Sequence, residues 1–116
     1  MYELTVESTF SAAHQLIGSE GPCEALHGHT WKVVVALLGD TLDDIGMLVD
    51  FQQVKKDLAQ VLKKYDHTFL NKAFTFNPTA ENIAHAIYTE LKRSQTLVSS
   101  VTVWESPTSS ARYFEE

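Results

Sequence analysis

The chain has 116 residues, 44% of them hydrophobic and 21% charged, a composition that predicts one globular domain over residues 1–116 and excludes a disordered tail. Its formal net charge of −6 and its scattered Lys and Arg residues argue against a nucleic-acid-binding protein, which normally carries a basic stripe. No apolar run approaches the ~18 residues of a membrane-spanning helix, so no membrane protein is expected.

Two strands are predicted in the first third of the chain. Residues Tyr2 to His14 alternate loosely between polar and apolar and are rich in Thr, Val and Phe, a pattern typical of a strand. A loop follows from Ile17 to Glu24, where two glycines and a proline occur. The β-branched run from His27 to Leu38 then predicts a second strand, the hairpin partner of the first.

Two helices are predicted next. Apolar residues from Phe51 to Tyr65 recur three, four or seven positions apart, which indicates a helix over 51–64. Asp50 is expected to be its N-cap, with Gln53 as the capping-box partner. Asn77-Pro78-Thr79 signals the start of a second helix, which should end near Arg93.

The last two strands are predicted at Val98 to Trp104 and at Ala111 to Phe114. The element order is therefore ββααββ, an α+β fold with a four-stranded antiparallel sheet and two helices on one face. Such a sheet has two open edges and an uncovered face, and proteins usually manage these by pairing edges or by oligomerising. Assembly is therefore expected on physical grounds.

Three histidines lie where they could share a metal ion. His27 and His29 are two residues apart on a strand, so their imidazoles project to one face, while Gly28 leaves the other face open. If the two strands pair antiparallel, His14 lies beside them. Three histidines with an open fourth position favour catalytic zinc. The alternative is that each is an ordinary surface or core histidine.

Cys23 is the only cysteine, which excludes an intramolecular disulfide. The N-terminus shows no signal-peptide pattern, so we expect a cytoplasmic protein whose thiol stays reduced. Cys23 precedes His27 by four residues, so its sulfur would either ligate the ion or stand beside it as a base whose pKa the dication lowers. The alternative is a small buried side chain.

Two further groups offer acid–base or recognition chemistry. Asp66 and His67 directly follow the first helix, and a carboxylate beside an imidazole can orient the ring and support proton transfer. Helix ends also carry both residue types without any function. Glu105 ends an otherwise apolar strand, where it is either a solvated charge or an acceptor for the amidine-like edge of a heterocycle.

Six segments form one ordered pattern over nearly the whole chain. They are Phe10-Ser11-Ala12-Ala13-His14, Cys23-x3-His27-Gly28-His29, Gly46-Met47-Leu48-Val49-Asp50-Phe51, Asp66-His67-Thr68-Phe69-Leu70-Asn71, Asn77-Pro78-Thr79-Ala80-Glu81-Asn82 and Trp104-Glu105-Ser106-Pro107-Thr108. In this order and spacing they resemble the 6-pyruvoyltetrahydropterin synthase and 6-carboxytetrahydropterin synthase family.

The resemblance implies a tunnelling fold (T-fold), in which three subunits close their sheets into a barrel and two trimers stack as a homohexamer. It also implies Zn²⁺ as cofactor and active sites at subunit contacts. The implied site residues are His14, His27 and His29 as zinc ligands, Cys23 as general base, Asp66 and His67 as a supporting pair, Glu105 as the anchor of the pterin ring, and Thr79 and Glu81 as lining of the pterin pocket.

Within the family, the three residues between Cys23 and His27 resemble the bacterial 6-carboxytetrahydropterin synthases, whereas the animal-type pyruvoyl synthases resemble a longer spacing. The implied reaction converts 7,8-dihydroneopterin triphosphate to 6-carboxy-5,6,7,8-tetrahydropterin, with release of acetaldehyde and triphosphate, in queuosine biosynthesis. Cys23 would remove a carbon-bound proton that zinc acidifies, and His67 would pass protons to or from the side-chain oxygens.

Glu24 and Gln15 complicate this interpretation. Glu24 stands three residues before His27, and members with Cys and Glu in tandem resemble a bifunctional type that also forms 6-hydroxymethyl-7,8-dihydropterin for folate synthesis. Otherwise Glu24 is a solvated loop charge. Gln15 stands where relatives often carry Arg, so Arg112, Lys32 or a neighbouring subunit would have to bind the triphosphate.

Two other classes of function compete with the lyase. A non-catalytic pterin- or zinc-binding protein would keep the metal without turnover. Zinc hydrolysis through metal-bound water needs only the three histidines, and it leaves Cys23 and Glu105 without a role.

Overall fold

A computed structural model describes residues 1–18 and 26–116, and within these ranges the chain forms five strands and three helices. In chain order they are β1 (Tyr2–His14), β2 (His27–Gly39), α1 (Phe51–Leu62), β3 (Thr68–Phe69), α2 (Leu70–Ala73), α3 (Ala80–Lys92), β4 (Val98–Ser106) and β5 (Ser109–Phe114). In the described part of the chain, no helix has the length and apolar character needed to cross a bilayer.

The sheet has the strand order β3-β1-β2-β4-β5. The four predicted strands are confirmed, and they pair antiparallel with their neighbours. The prediction of a four-stranded sheet was wrong by one strand, because β3 pairs parallel with Ala12 and Ala13 of β1. Two residues show no periodicity in a sequence, and β3 forms because the outer edge of β1 offers backbone partners.

The two predicted helices are confirmed as α1 and α3. Asp50 caps α1, since its side chain accepts from the backbone N–H of Gln52 at 2.9 Å. The predicted capping-box bond of Gln53 is not formed, because this side chain instead donates to Asp57 one turn later at 2.9 Å. Thr79 caps α3 by accepting from Asn82 N–H at 3.1 Å. The one-turn helix α2 was not predicted, because four residues are too few to show a helical period.

The hydrophobic core lies between the helices and one face of the sheet. Trp31, Val33, Val35 and Leu37 alternate along β2, and all four are fully buried. Each such side chain contributes about 1.5–3 kcal/mol when fully buried. A shift of one residue in register would move the whole set to the open face, so this packing fixes the register of β2.

That register also determines which residues meet at the end of the sheet. His14, the last residue of β1, lies opposite His27, and Ala12 lies opposite His29. On the other side of β2, Lys32 pairs with Trp104 of β4. The polar ends of three neighbouring strands therefore come together at one corner of the molecule.

Candidate functional site

His14, His29 and Glu105 form a compact group at this corner. One ligand atom from each lies within 4.8 Å of the others. Glu105 Oε1 is 3.1 Å from His29 Nε2 and 3.4 Å from His14 Nε2. Two imidazoles and a carboxylate at this spacing are a donor set that suits a divalent metal such as zinc.

His14 is held in the tautomer that a metal ligand requires. Its ring is fully buried, and Nδ1 lies 2.8 Å from the carbonyl oxygen of Pro78. Because a carbonyl can only accept a hydrogen bond, Nδ1 must carry the proton. This leaves Nε2, which lies 3.4 Å from Glu105 Oε1, as the ring atom that could bind a metal ion.

Trp31 packs against both imidazoles. Its ring centroid is 4.9 Å from that of His14 and 5.4 Å from that of His29, and both contacts are edge-on. Its Nε1 donates to the carbonyl of Ala12 at 3.3 Å, which fixes the orientation of the indole. Trp31 was not among the predicted site residues. The strand alternation that places His27 and His29 on one face could have found it, because Trp31 is the next residue on that face.

A cavity of about 310 Å³ adjoins the group, with Glu105 in its wall. Glu81, in the first turn of α3, also lines this cavity, together with Ala80, Ser109, Ser110 and Ala111. Two carboxylates in one wall favour a ligand that offers hydrogen-bond donors, such as an amidine-like edge. A larger groove of about 620 Å³ lies elsewhere, between α3 and the segment 64–76, and Tyr65, Phe74 and His85 line it.

Asp66 and His67 form the predicted pair. His67 Nδ1 lies 3.0 Å from Asp66 Oδ2. Both residues are also tied to Ser11 of β1: its N–H donates to Asp66 Oδ1 at 2.9 Å, and its carbonyl accepts from His67 N–H at 2.5 Å. The hydrogen bond from Ser11, followed by that from His67, holds the pKa of Asp66 below its usual value.

The His67 side chain projects away from its own chain. It is 82% exposed, and its backbone has the left-handed φ of 60° that side-chain-bearing residues rarely adopt. Its anchor, Ser11, precedes His14 by three residues, which is about 10 Å along a strand. The backbone anchor of the pair is therefore about 10 Å along β1 from His14.

The sequence model of the 6-pyruvoyl tetrahydropterin synthase family matches residues 3–116. The chain belongs to this family. It is 34% identical to the 6-carboxy-5,6,7,8-tetrahydropterin synthase of Haemophilus influenzae, over 99% of this chain and 100% of that protein. The Synechocystis protein of the same name is 38% identical, with 98% and 94% covered.

The fold is also that of a solved member. The Caenorhabditis elegans 6-pyruvoyl tetrahydropterin synthase superposes with a TM-score of 0.85, at 30% identity, over 100% of this chain and 98% of that one. The T-fold expected from the six sequence segments is thereby confirmed, as is the family. The Plasmodium vivax synthase has the same fold, with a TM-score of 0.81 at 24% identity.

Among the residues singled out as synthase site residues, three lie partly or wholly outside what the structure describes. Cys23 and Glu24 fall outside the described residues, and for His27 only the backbone position in β2 is described. Their roles stay predictions. Glu105, expected to hold the pterin ring, lies directly against the imidazoles, a proximity that sequence separation did not reveal.

The two cations suggested for the triphosphate lie on the opposite face of the sheet. Lys32 is exposed between buried Trp31 and Val33, and its ammonium stacks over Trp104 at 5.1 Å from the ring centroid. Arg112 is likewise exposed and stacks over Phe114 at 4.7 Å. Neither lies on the face that carries His14 within one chain.

Proposed function

We propose that this chain is a zinc-dependent 6-carboxy-5,6,7,8-tetrahydropterin synthase of queuosine biosynthesis. It would convert 7,8-dihydroneopterin triphosphate to 6-carboxy-5,6,7,8-tetrahydropterin, with release of acetaldehyde and triphosphate. The observation that carries the proposal is the convergence of His14, His29 and Glu105 on one point. The full-length similarity to two proteins of this name supports the choice of product.

His14 and His29, with His27 as the predicted third histidine, would hold the zinc. The buried hydrogen bond from His14 to Pro78 supports this, because it leaves Nε2 able to donate its lone pair. When bound, zinc supplies a Lewis acid that polarises the oxygens of the substrate side chain.

Glu105 and Glu81 would receive the pterin. The N–H donors on the ring edge would face the two carboxylates in the cavity wall, where charge-assisted hydrogen bonds give orientation as well as affinity. Since Glu105 also contacts both imidazoles, it would place the ring immediately beside the metal centre. Thr79 contributes by capping α3 and so fixing the turn that carries Glu81.

Proton transfer would be divided between Cys23 and the Asp66–His67 pair. The Cys23 thiolate would take the carbon-bound proton. Asp66 stays ionised because its pKa is lowered by the Ser11 N–H, so it can accept a hydrogen bond from His67 Nδ1 and orient the ring. His67 would then exchange protons with the side-chain oxygens of the substrate.

We further infer that His67 serves the site of a neighbouring subunit in a homohexamer, a dimer of trimers. Its exposure and its distance along β1 from His14 support this. The outer edge of β1 also supports assembly, because in the described residues β3 covers only Ala12 and Ala13. Joining such edges between subunits would close the sheets into a barrel. A neighbour would also supply the cation for the triphosphate.

The decisive assay incubates the zinc-loaded protein with 7,8-dihydroneopterin triphosphate and identifies the pterin product by mass. We expect the 6-carboxy product from wild type and from Glu24→Ala, and its loss in Cys23→Ala. A 6-pyruvoyl product would instead indicate a pyruvoyl synthase. A 6-hydroxymethyl product that depends on Glu24 would point to folate synthesis. Zinc-replete oligomer without turnover would contradict the enzyme and leave a binding protein.

A further inference from the structure

Two asparagine side chains pair with the backbone just after His14. Asn71 accepts from Gln15 N–H at 2.8 Å and donates to the Gln15 carbonyl at 2.7 Å. Asn77 does the same with Ile17, at 3.0 Å in both directions. Each carboxamide thus makes the two reciprocal bonds that the edge of a neighbouring strand would make.

These bonds continue the edge pairing of β1 beyond its last residue. Gln15 and Ile17 are two residues apart, and each uses both its N–H and its carbonyl in these bonds, as alternate residues along a strand edge do. β3 already pairs with Ala12 and Ala13. Beyond the end of β3, the side-chain amides of Asn71 and Asn77 form the hydrogen bonds to this edge of the chain.

The same segments also meet at the imidazole of His14. Pro78, the residue after Asn77, accepts the Nδ1 proton of His14 at 2.8 Å. Asn82 donates to the carbonyl of Asn77 at 2.9 Å, so Asn77 is fixed on the first turn of α3. Five hydrogen bonds therefore join residues 14–17 to the region 71–78, and one of them sets the tautomer of a metal ligand.

We propose that Asn71 and Asn77 are positioning residues of the metal centre. They hold residues 15–17 in register with the Pro78 carbonyl, so that His14 Nδ1 keeps its acceptor and Nε2 faces His29. Without the hydrogen bonds of Asn71 and Asn77, the His14 ring would lose the partner that selects its tautomer and orientation. The inference rests on the proposed function only for the identity of the ion.

The test uses the full chain without substrate. Zinc affinity is measured by competition with a chromophoric chelator, and the visible spectrum of the cobalt-substituted protein reports the ligand geometry. We expect Asn71→Ala and Asn77→Ala to lower zinc affinity by about 10–100-fold and to shift the cobalt bands. Gln95→Ala is the matched control, because it removes a carboxamide bond to Asp57 (2.8 Å) in a part of the fold away from His14.

A purely structural role would give a different result. The asparagine variants would then lose resistance to urea as Gln95→Ala does, while zinc affinity stays within about twofold of wild type and the cobalt spectrum is unchanged. That outcome would overturn the proposal.

The two proposals fail separately in these measurements. An inactive wild type whose zinc affinity depends on Asn71 and Asn77 would contradict the proposed reaction and support the role of these two residues in positioning the metal centre. An active enzyme whose zinc affinity is unchanged by both substitutions would support the proposed reaction and contradict the positioning role.

Discussion

The molecule builds two imidazole–carboxylate groups by different means. His14, His29 and Glu105 meet through the register of three strands, and Trp31 packs against both rings. His67 and Asp66 are held by the backbone of one strand residue, and the His67 ring stays 82% exposed. The first group is preorganised within one chain. The second is oriented and then presented outward, as a site completed by another subunit would require.

The largest effect should follow from breaking the first group. His29→Ala removes one of the clustered ligand atoms, so we expect zinc affinity to fall by more than about 100-fold and turnover to reach background. His85→Ala is the control, because His85 lies on α3 and stacks on Tyr113, with ring centroids 4.2 Å apart. Zinc affinity retained by His29→Ala would show that the metal is held elsewhere.

Breaking the second group should spare the metal. His67→Gly removes the imidazole but accepts the left-handed backbone better than alanine would, so folding should be maintained. We expect unchanged zinc content and a fall in kcat of about 10²–10⁴-fold, the usual contribution of a general acid–base group.

Subunit mixing then tests whether the second group serves a neighbour. If His67 and Cys23 act from different chains, a reassembled one-to-one mixture of His67→Gly and Cys23→Ala regains about a quarter of the wild-type sites, assuming random assembly of a symmetric oligomer. If both residues act within one chain, the mixture stays inactive. Either variant reassembled alone is the control.

The strands, the long helices and the residues of the two groups are easier to predict from the sequence than the contacts between those residues. Alternation and capping signals suffice for the four long strands and two long helices, and for placing His27 and His29 on one face. They do not show that Glu105 would touch imidazoles from β1 and β2, because that contact depends on two strand registers at once. The Pro78 partner of His14, 64 residues away, depends on tertiary packing in the same way.

Glu105 can be assigned to the metal or to the pterin by a single variant. Glu105→Gln keeps the shape of the side chain and removes its charge. If Glu105 anchors the pterin, Glu105→Gln should raise KM by about 10-fold or more. Zinc affinity should then fall by a smaller factor, since the histidines still hold the ion. Glu81→Gln, in the same cavity wall, gives the comparison for KM. A variant that loses zinc first would make Glu105 a ligand.

The smallest effect concerns how firmly the Asp66–His67 pair is held to β1. The pKa of Asp66 is lowered, chiefly by the Ser11 N–H, so its ionised form stabilises the fold above the usual carboxyl pKa of about 4. This contribution is lost as pH falls through the lowered pKa of the folded state. The difference in unfolding free energy between wild type and Asp66→Asn should therefore be constant near neutral pH and shrink under acid.

Because Asp66 is exposed, this difference should be modest and should weaken with salt. Urea titrations from neutral pH to about pH 3 would measure it, with Asp44→Asn, in an exposed turn, as the control. A difference that stays flat across this range would mean that Asp66 does not need its charge to hold Ser11. The bond from the His67 backbone N–H to the Ser11 carbonyl would then be the main tie between this turn and β1.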